Sequence, residues 1–406
     1  MNLIEPLILS VSGRDRPGLL AELAGALAEA DIAIVDIEQA TLQDLLALSF
    51  LLDLGGDPAK SRHLLNAVIP RAGALGLSVD VRSLNTEALR NRAQPELFVL
   101  TLVSEEPSSR LVADTAAAVA RHGANIVSIR RLAESDLRAG EYVLDVSGCT
   151  AVAALKADLL RTAERLGVDA GLAREDVYRK SKRIVVFDMD NTLVAGEMID
   201  ALADAAGVGD RVAAITRQAM DGSLDFAEAL HRRVALLAGL PEARVNELAR
   251  SMPLTPGAEE VLAVLKSLGY KLGVLSGGFT RFVDVLRVRF GLDYAFANTL
   301  EIENGVVTGR VTGEVLDGEG KARRLEEIAR AEGVPRDLVV GVGDGANDIP
   351  MLQRAGLGIA FRAKEVTRRS ADGAIQRNSF DGLLYLLGVS ARDRARVQAT
   401  EAVSPP

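Results

Sequence analysis

A short apolar run that is followed at once by two acids limits the folds open to this chain. Residues 184–187 read Ile-Val-Val-Phe, which predicts a strand buried on both faces, and Asp188 and Asp190 follow it at once. Carboxylates this close repel each other, and loss of hydration favours their protonated form. A bound cation removes that cost, and Mg²⁺ prefers oxygen ligands. Residues 188–192 therefore predict a metal site with a nucleophilic carboxylate or, alternatively, an acid pair that caps a helix.

Composition narrows the class of protein. The 406 residues suffice for two or three domains, and the net charge of -9 without a basic tract argues against nucleic acid as a partner. Cys149 is the only cysteine, so an intrachain disulfide is excluded, and a reducing cytoplasm is the expected location. Residues 1–6 lack the pattern of a signal peptide, and no apolar run reaches membrane-spanning length, so we expect no membrane partner. Three histidines lack metal-ligand spacing and are predicted to lie on helix surfaces: His63, His122 and His231.

The amino-terminal part contains an internal repeat. Each copy shows the order βαββαβ, which predicts two ferredoxin-like domains over 1–83 and 95–171. A polar segment, 83–95, is the predicted linker between them. In the first copy strands are predicted at 7–11, 34–37, 46–54 and 77–81, with helices at 19–30 and 58–75. In the second copy strands are predicted at 97–101, 126–129 and 141–145, with helices at about 109–122 and 151–166.

The carboxyl-terminal part, 183–390, follows a second charged linker near 171–182. Alternating strands and helices there predict a doubly wound parallel α/β sheet, with strands at 184–187, 271–275, 338–342 and 357–361. The stretch at about 197–255 is largely helical and too long for a simple crossover, so it predicts an inserted cap. Asn304 and Gly305 predict a hairpin turn. The polar, proline-ended tail, 391–406, is predicted to be disordered.

Reactive side chains recur at the other predicted strand ends. Ser276 and Gly277 follow one strand, and Lys321 opens the helix predicted at 321–331. A later strand ends in a glycine-rich turn with Asp344, Asn347 and Asp348. Each motif alone has a structural alternative, namely a glycine turn, a solvated lysine or a capped turn. Ligands of open α/β sheets bind at the carboxyl ends of strands, so the combination predicts one shared site.

The combination resembles the haloacid-dehalogenase-like phosphohydrolases over about 183–385. The predicted cap is similar to that of the phosphoserine phosphatases, through Glu197, residues 215–222, Phe226 and residues 230–234. The two repeats resemble ACT domains, amino-acid-sensing modules, and residues 13–18 match the usual ACT turn. Two such domains before the phosphatase are similar to the actinobacterial arrangement. The resemblance covers nearly the whole chain and implies a Rossmann-like catalytic domain.

The resemblance implies a role for each strand-end residue. Asp188 would be the nucleophile that is transiently phosphorylated, and Asp190 would protonate the leaving oxygen and then activate water. Mg²⁺ would be held by the Asp188 carboxylate, the backbone carbonyl of Asp190 and Asp344, with Asp348 at or near the metal. The phosphoryl oxygens would be bound by Ser276, Gly277, Lys321 and Asn347.

The implied substrate is O-phospho-L-serine, hydrolysed to serine and phosphate in the last step of serine biosynthesis. Its zwitterionic part needs an anion and a cation, and Glu197 and Arg233 match the family's pair. The residues alone leave Arg232 and Arg217 open as alternatives to Arg233. Two apolar cap residues would close over the substrate: Met220 and Phe226. Alternative functions are a related small-molecule phosphatase or phosphotransferase, and an amino-acid-sensing regulator with a vestigial phosphatase domain.

The repeats imply regulation. ACT domains commonly bind an amino acid near the turn after the first strand, often across a dimer. The first repeat has Gly18 but Ala33 where the second has Asn125, and the second places Ser109 and Arg110 at the glycine turn. We therefore predict serine feedback through Gly18 and Asn125 and a homodimer formed by the ACT domains, with dimerisation alone as the alternative.

Overall fold

The chain folds into two compact units, residues 1–95 and 96–406. The computed structural model describes residues 6–84, 95–133, 138–176, 178–220 and 223–403. Most of the linker predicted at 83–95 and all but one of residues 1–6 lie outside these ranges. Among the helices described, none combines the length and the apolar character needed to cross a membrane.

The first unit is a βαββαβ sandwich. Its four antiparallel strands lie in the order β2-β3-β1-β4. Alternate residues of β3, Leu46 to Leu52, point into a core formed with the helices, because successive side chains of a strand face opposite sides. The helix predicted at 58–75 contains a π-helical turn. The elements are β1 (Pro6–Arg14), α1 (Leu19–Ala28), β2 (Ala33–Leu42), β3 (Leu45–Asp53), α2 (Pro58–His63), the π-helical turn (Leu64–Val68), α3 (Ile69–Ala74) and β4 (Ser78–Ser83).

The second repeat has the same strand order, β6-β7-β5-β8. This agreement shows the internal repeat in the topology of the two sheets, and each repeat has its own apolar core. Its elements are β5 (Leu97–Val103), α4 (Ser109–Arg121), β6 (Asn125–Arg131), β7 (Ala139–Asp145), α5 (Val152–Leu166) and β8 (Asp169–Arg174).

The second repeat is not separate from the catalytic sheet, although a linker was predicted between them near 171–182. Strand β8 pairs antiparallel with β15 (Gly373–Ile375), so one eleven-stranded sheet runs through both. The buried Asp169 carboxylate accepts hydrogen bonds at 2.8 Å from Gln376 N and from Arg377 Nε. Backbone pairing and this buried ion pair therefore join the repeat to the phosphatase-like part.

The linker predicted near 171–182 is a correction, because its first residues belong to β8. Most of the remainder is also anchored: Arg179 is buried, and its Nη1 donates to Glu141 Oε1 at 2.6 Å. Lys182 donates to the backbone oxygen of Asp337. A buried charge is stable only when it is paired, which explains why this charged segment is held in place.

The catalytic sheet is doubly wound, as predicted. Its parallel part has the order β11-β10-β9-β13-β14-β15, with β12 antiparallel at one edge. The run predicted to be buried, β9, has all four side chains fully buried. Helices cover both faces and complete two apolar cores. The strands are β9 (Ile184–Phe187), β10 (Lys271–Phe279), β11 (Tyr294–Glu303), β12 (Val306–Thr312), β13 (Val339–Gly343) and β14 (Leu357–Phe361).

A helical cap is inserted between β9 and β10. Its backbone is tied to the β11–β12 hairpin, since Pro241 bridges to Val306. The predicted hairpin turn is present, with Asn304 and Gly305 at φ 51° and 78°, values that suit a tight two-residue turn. The cap helices are α6 (Met198–Ala205), α7 (Gly209–Met220), α8 (Phe226–Ala235) and α9 (Glu242–Ser251). The remaining helices up to the tail are α10 (Ala258–Ser267), α11 (Thr280–Phe290), α12 (Gly318–Ala331), α13 (Ile349–Arg354), α14 (Glu365–Ser370) and α15 (Asp381–Leu386).

The tail differs from the prediction of disorder. Residues Ala391–Val403 form a helix, α16, and only 404–406 lie outside the described residues. Ser390 and Asp393 cap its start reciprocally: Asp393 N donates to Ser390 Oγ at 3.2 Å, and Ser390 N donates to Asp393 Oδ2 at 3.0 Å. Arg394 also pairs with Glu260 at 2.6 Å. The prediction from polar composition took no account of this local cap or of the distant pair with Glu260.

Candidate active site

Three groups from distant parts of the chain meet at the carboxyl end of β9. Lys321 Nζ donates at 2.7 Å to Asp188 Oδ1 and at 2.7 Å to Asp348 Oδ1. Lys321 and Asp348 are fully buried, and Asp188 is 5% exposed. Asp188 is fixed further because its N–H donates to Val342 O on β13 at 2.8 Å. Adjacent strands thus set the position of the predicted nucleophile.

Burial controls the charge of this cluster. Loss of hydration, followed by the charge of Asp348, holds the pKa of Asp188 well above its usual range, and Lys321 opposes the shift. Burial also acts against the ammonium form of Lys321, but Asp188 and Asp348 together raise the lysine pKa above its ordinary value. The lysine is therefore a fixed cation. Its helix, α12, begins at Gly318 after the cap residue Asp317, one turn earlier than predicted.

An acid cluster that could hold a cation is formed by Asp188, Asp344 and Asp348, whose carboxylate oxygens lie within 4.8 Å of one another. Loss of hydration and then the charge of Asp348 raise the pKa of Asp344 to about 7. Three carboxyl groups share one lysine, so their ionised forms carry more negative charge than the lysine can balance. Oxygen ligands and this excess fit a hard divalent cation.

Asp348 also shapes the loop that carries the cluster. Its Oδ2 accepts hydrogen bonds from Asp344 N at 3.1 Å and from Gly345 N at 2.9 Å. A Cβ at Gly343 would lie 2.5 Å from the Asp348 carboxyl carbon, so the approach requires glycine. Asn347 lies in the same turn, and its backbone oxygen would be 2.5 Å from a Cβ at Gly318. The turn therefore packs directly against the start of the lysine helix.

The hydrogen-bond partners of Asp190 lie outside the acid cluster. Its Oδ1 accepts from Met198 N at 2.8 Å, and its Oδ2 accepts from Ser276 Oγ at 3.4 Å. Loss of hydration, followed by the charge of Glu197, raises the pKa of Asp190 to about 7. A carboxyl group of this kind can give and take a proton near neutral pH. Its implied contact to a metal uses the backbone oxygen and stays a prediction.

A glycine-containing segment beside Asp190 offers hydrogen-bond donors. Strand β10 extends to Phe279, beyond the predicted end at 275, and is irregular between Leu275 and Phe279. Ser276 is fully buried and accepts from Gly278 N at 2.8 Å. A Cβ at Gly278 would lie 2.9 Å from Asp190 Oδ2. The segment can therefore lie close to the acid only because residue 278 is glycine.

Sequence reasoning missed one residue that supports this segment, Asn298 on β11. Asn298 is buried, its Nδ2 donates to Gly277 O at 2.8 Å, and its Oδ1 accepts from Leu316 N at 2.7 Å. It links the Ser276 segment to the chain that enters α12 and Lys321. A polar residue after the run 294–297 was the available signal, but its partners come from distant segments.

The cap contributes a charged pair and an aromatic ring. Glu197 Oε1 accepts from Asn191 Nδ2 at 2.9 Å. Arg233 is half-buried and donates from Nε to Ala229 O at 3.3 Å, and its charge acts on Glu197 and Asp190. The Phe226 ring lies over the donor segment, since its Cζ would be 2.8 Å from a Cβ at Gly277.

The structure also places the other cap residues named from the sequence, Arg232, Arg217 and Met220. Arg232 pairs with Glu228 at the surface, and Arg217 is exposed. The structure therefore favours Arg233 over both as the cation that faces Glu197. Loss of hydration and the charge of Asp200 raise the pKa of Glu197, while Arg233 opposes the shift. The backbone of Met220 ends α7, and its side chain is outside the described structure.

The predicted effector residues lie in different repeats. Gly18 precedes α1 in a left-handed conformation with φ 96°, and Asn125 begins β6. The helix starts correct the alignment of the repeats: Ser108 caps α4 as Gly18 precedes α1, so Ser108 rather than Arg110 is the counterpart of Gly18.

A cavity of about 500 Å³ lies at the opposite, amino-terminal edge of the catalytic sheet. It brings together none of the acids described above. The chemistry of its side chains therefore marks the strand-end cluster as the candidate active site.

Known proteins match both parts of the chain. The haloacid dehalogenase-like hydrolase family matches residues 185–353, and the ACT domain family matches residues 5–82. The phosphoserine phosphatase of Streptomyces coelicolor is 40% identical over 99% of this chain and 96% of its own length. The chain belongs to the phosphoserine phosphatase family. The enzyme of Mycobacterium tuberculosis, also a phosphoserine phosphatase, is 38% identical over 97% of this chain and 95% of its own length.

Solved structures agree with this family. A HAD family hydrolase from Salmonella enterica serovar Typhi superposes with a TM-score of 0.62 at 29% identity, covering 71% of this chain and 98% of that chain. The predicted fold class and the resemblance to actinobacterial members of the phosphoserine phosphatase family are thereby confirmed. The ACT model matches the first repeat, and the second repeat shares its strand order.

Proposed function

We propose that this protein hydrolyses O-phospho-L-serine to L-serine and phosphate with Mg²⁺. The observation that carries the proposal is the contact of Asp188 with Lys321 beside Asp348, within a chain 40% identical to a phosphoserine phosphatase along nearly its whole length. Phosphate monoesters hydrolyse very slowly without a catalyst, so a cation and fixed donors are the expected solution. Mg²⁺ bound by Asp188, Asp344 and Asp348 would neutralise charge on the phosphoryl oxygens.

The first half-reaction would begin with attack of an Asp188 carboxylate oxygen on phosphorus. The bond from phosphorus to the serine oxygen breaks, and Asp190 gives its proton to that oxygen. The pKa of Asp190, raised to about 7, supports a protonated carboxyl group at the start. Lys321 and donors near Ser276 would hold the phosphoryl oxygens.

The second half-reaction would hydrolyse the aspartyl-phosphate. Asp190, now a carboxylate, takes a proton from water, whose oxygen attacks phosphorus. The bond from phosphorus to the Asp188 oxygen breaks and releases phosphate. One residue serves both steps because the first step creates the base that the second needs.

Serine would be recognised at the cap. Glu197 would accept hydrogen bonds from the substrate ammonium, and Arg233 would bind its carboxylate with two donors. Phe226 lies over the donor segment and would cover the bound ester, with Met220 as its predicted neighbour in this role. The electrostatic pairing of Glu197 with Arg233 supports a zwitterionic leaving group.

A substrate panel tests the function. The full chain with Mg²⁺ is assayed on O-phospho-L-serine, O-phospho-L-threonine and p-nitrophenyl phosphate. We expect the highest kcat/KM on phosphoserine. Equal rates on all three would favour a general phosphatase, and no turnover of any would favour a regulator with a vestigial catalytic domain.

We further propose feedback by serine through Gly18 and Asn125. Support comes from the ACT family match and from the open space around Gly18, which has a left-handed φ. Titration calorimetry should use the whole chain, because a fragment ending near residue 170 would remove most of β8 from the sheet. Heat on serine addition together with lower activity is the expected result, and absence of both would leave dimerisation as the role of the repeats.

Homodimer formation is likewise proposed. The strands β2 and β6 occupy edges of their sheets and expose Ile34, Ile37, Val127 and Ile129 by 41–56%. Exposed apolar side chains on a sheet edge favour pairing with another chain. Light scattering on the whole protein should give twice the mass of one chain, and substitution of Ile37 by Lys should lower it if β2 takes part.

A further inference from the structure

Asn191 has an unusual backbone conformation next to the candidate nucleophile loop. Its φ is 52°, in the left-handed region that only glycine and, less often, asparagine or aspartate adopt readily. Its N–H donates to Gly196 O at 3.2 Å and closes the loop between β9 and α6. The conformation directs the side-chain amide back across this loop, where Nδ2 donates to Glu197 Oε1 at 2.9 Å.

Glu197 needs such a restraint. It immediately precedes α6 with an extended backbone, and its side chain does not cap the helix. The charge of Asp200 raises the pKa of Glu197, and the charge of Glu197 raises the pKa of Asp190. Both acids therefore lie near enough to repel the Glu197 carboxylate. The amide of Asn191 offsets this repulsion at one oxygen. The lone pairs of the other oxygen can still accept hydrogen bonds from an ammonium group.

We propose that Asn191 is a positioning residue that orients Glu197 toward the ammonium group of the substrate; this inference rests on the proposed function. The amide touches Glu197 rather than the reacting atoms. Its removal should weaken binding of an ammonium-bearing ester more than binding of an ester without one.

The competing explanation is that Asn191 serves only the left-handed turn. Glycine separates the two roles, because it adopts the same backbone conformation without strain and lacks the amide. Asn191→Gly therefore removes only the hydrogen bond, whereas Asn191→Asp keeps the shape, loses the donor and adds a charge facing Glu197. Thermal melts of each variant should verify folding.

The test is a double-mutant cycle with Glu197→Gln, measured on the full chain with Mg²⁺. Because the lost hydrogen bond reaches a charged carboxylate at an exposed site, Asn191→Gly should raise the KM for O-phospho-L-serine about tenfold. The KM for p-nitrophenyl phosphate, which has no ammonium group, should rise several-fold less. Asn191→Asp should raise the phosphoserine KM further than Asn191→Gly does.

In the Glu197→Gln background, adding Asn191→Gly should change the phosphoserine KM by no more than about twofold, because the partner carboxylate is already gone. A second tenfold rise would overturn the inference. An equal fall in kcat for both substrates with an unchanged KM ratio would also overturn it, since that result marks a purely structural turn. If the wild-type chain shows no preference for phosphoserine, the proposed function fails instead, whatever the variants do.

Discussion

The two halves of the candidate active site are built differently. At the strand ends, Lys321 and Asp348 are fully buried and paired at 2.7 Å. In the cap, Glu197 is exposed and Arg233 is half-buried, and among the described residues each has a hydrogen bond to an uncharged group, at 2.9 and 3.3 Å respectively. The groups assigned to bond breaking are therefore fixed before substrate arrives, whereas the groups assigned to recognition remain open to solvent. Hydrogen-bond donors and charges that are preorganised in this way need no reorganisation during the reaction.

The difference has a physical origin. Strand-end side chains inherit rigidity from a buried parallel sheet, whose β9 lies between β10 and β13. The cap side chains lie on or beside helices inserted between two strands, and backbone hydrogen bonds to the β11–β12 hairpin help to hold those helices. Losses in the strand-end half should therefore appear in kcat, and losses in the cap half should appear in KM.

The largest effect is expected at the nucleophile. Asp188→Asn should lower kcat by at least about 10³-fold, because an amide oxygen is a poor nucleophile. Asp348 still pairs with Lys321, so circular dichroism should show a folded protein. Asp284→Asn, an exposed acid on α11, is the matched control and should keep full activity. A folded Asp188→Asn variant with near-normal turnover would contradict the assignment.

Removal of divalent cations should have the second-largest effect on kcat. Chelation should lower kcat by at least about a hundredfold, since charge stabilisation by a metal supplies several kcal/mol. Readdition of Mg²⁺ should restore activity. Asp344→Asn should raise the Mg²⁺ concentration needed for half-maximal rate. Full activity after exhaustive chelation would show that the acid cluster binds no essential metal.

Substitution in the cap should act on substrate binding. Arg233→Ala should raise the KM for phosphoserine about 10- to 100-fold, because a bidentate bond to a carboxylate is lost. Its neighbour provides the control: Arg232→Ala, which removes a surface pair with Glu228, should change KM by less than about twofold. Equal losses on p-nitrophenyl phosphate would contradict a role in recognising the serine part.

The smallest effect is expected at Asn298, which holds the Gly277 segment in place and is assigned no contact with the substrate. Asn298→Asp keeps an acceptor for Leu316 N, loses the donor to Gly277 O and places a carboxyl oxygen beside that buried carbonyl. One lost buried hydrogen bond should lower kcat/KM about tenfold and weaken inhibition by inorganic phosphate in parallel. Loss of stability without weaker phosphate inhibition would indicate that Asn298 only holds the fold.

Sequence patterns predicted the strands well at places where an apolar run gives way abruptly to polar or turn residues. The strand before Asp188 and the turn at Asn304 could be predicted without reference to the rest of the chain. Predictions failed where distant partners decide the outcome: β8 was placed in a linker because its pairing with β15 is not visible locally. The tail was predicted to be disordered because composition cannot show that Arg394 meets Glu260.

The alternation of strands and helices, the repeat and the reactive residues at the strand ends could be predicted from the sequence, because they depend on local apolar patterns and on short motifs. Other outcomes became visible in the tertiary structure: the charge of Arg233 acts on Glu197 whereas Arg232 pairs with Glu228, Asn298 supports the Gly277 segment, and the second repeat shares a sheet with the catalytic strands. Those outcomes depend on the direction of side chains and on pairing between distant segments, which local patterns do not encode.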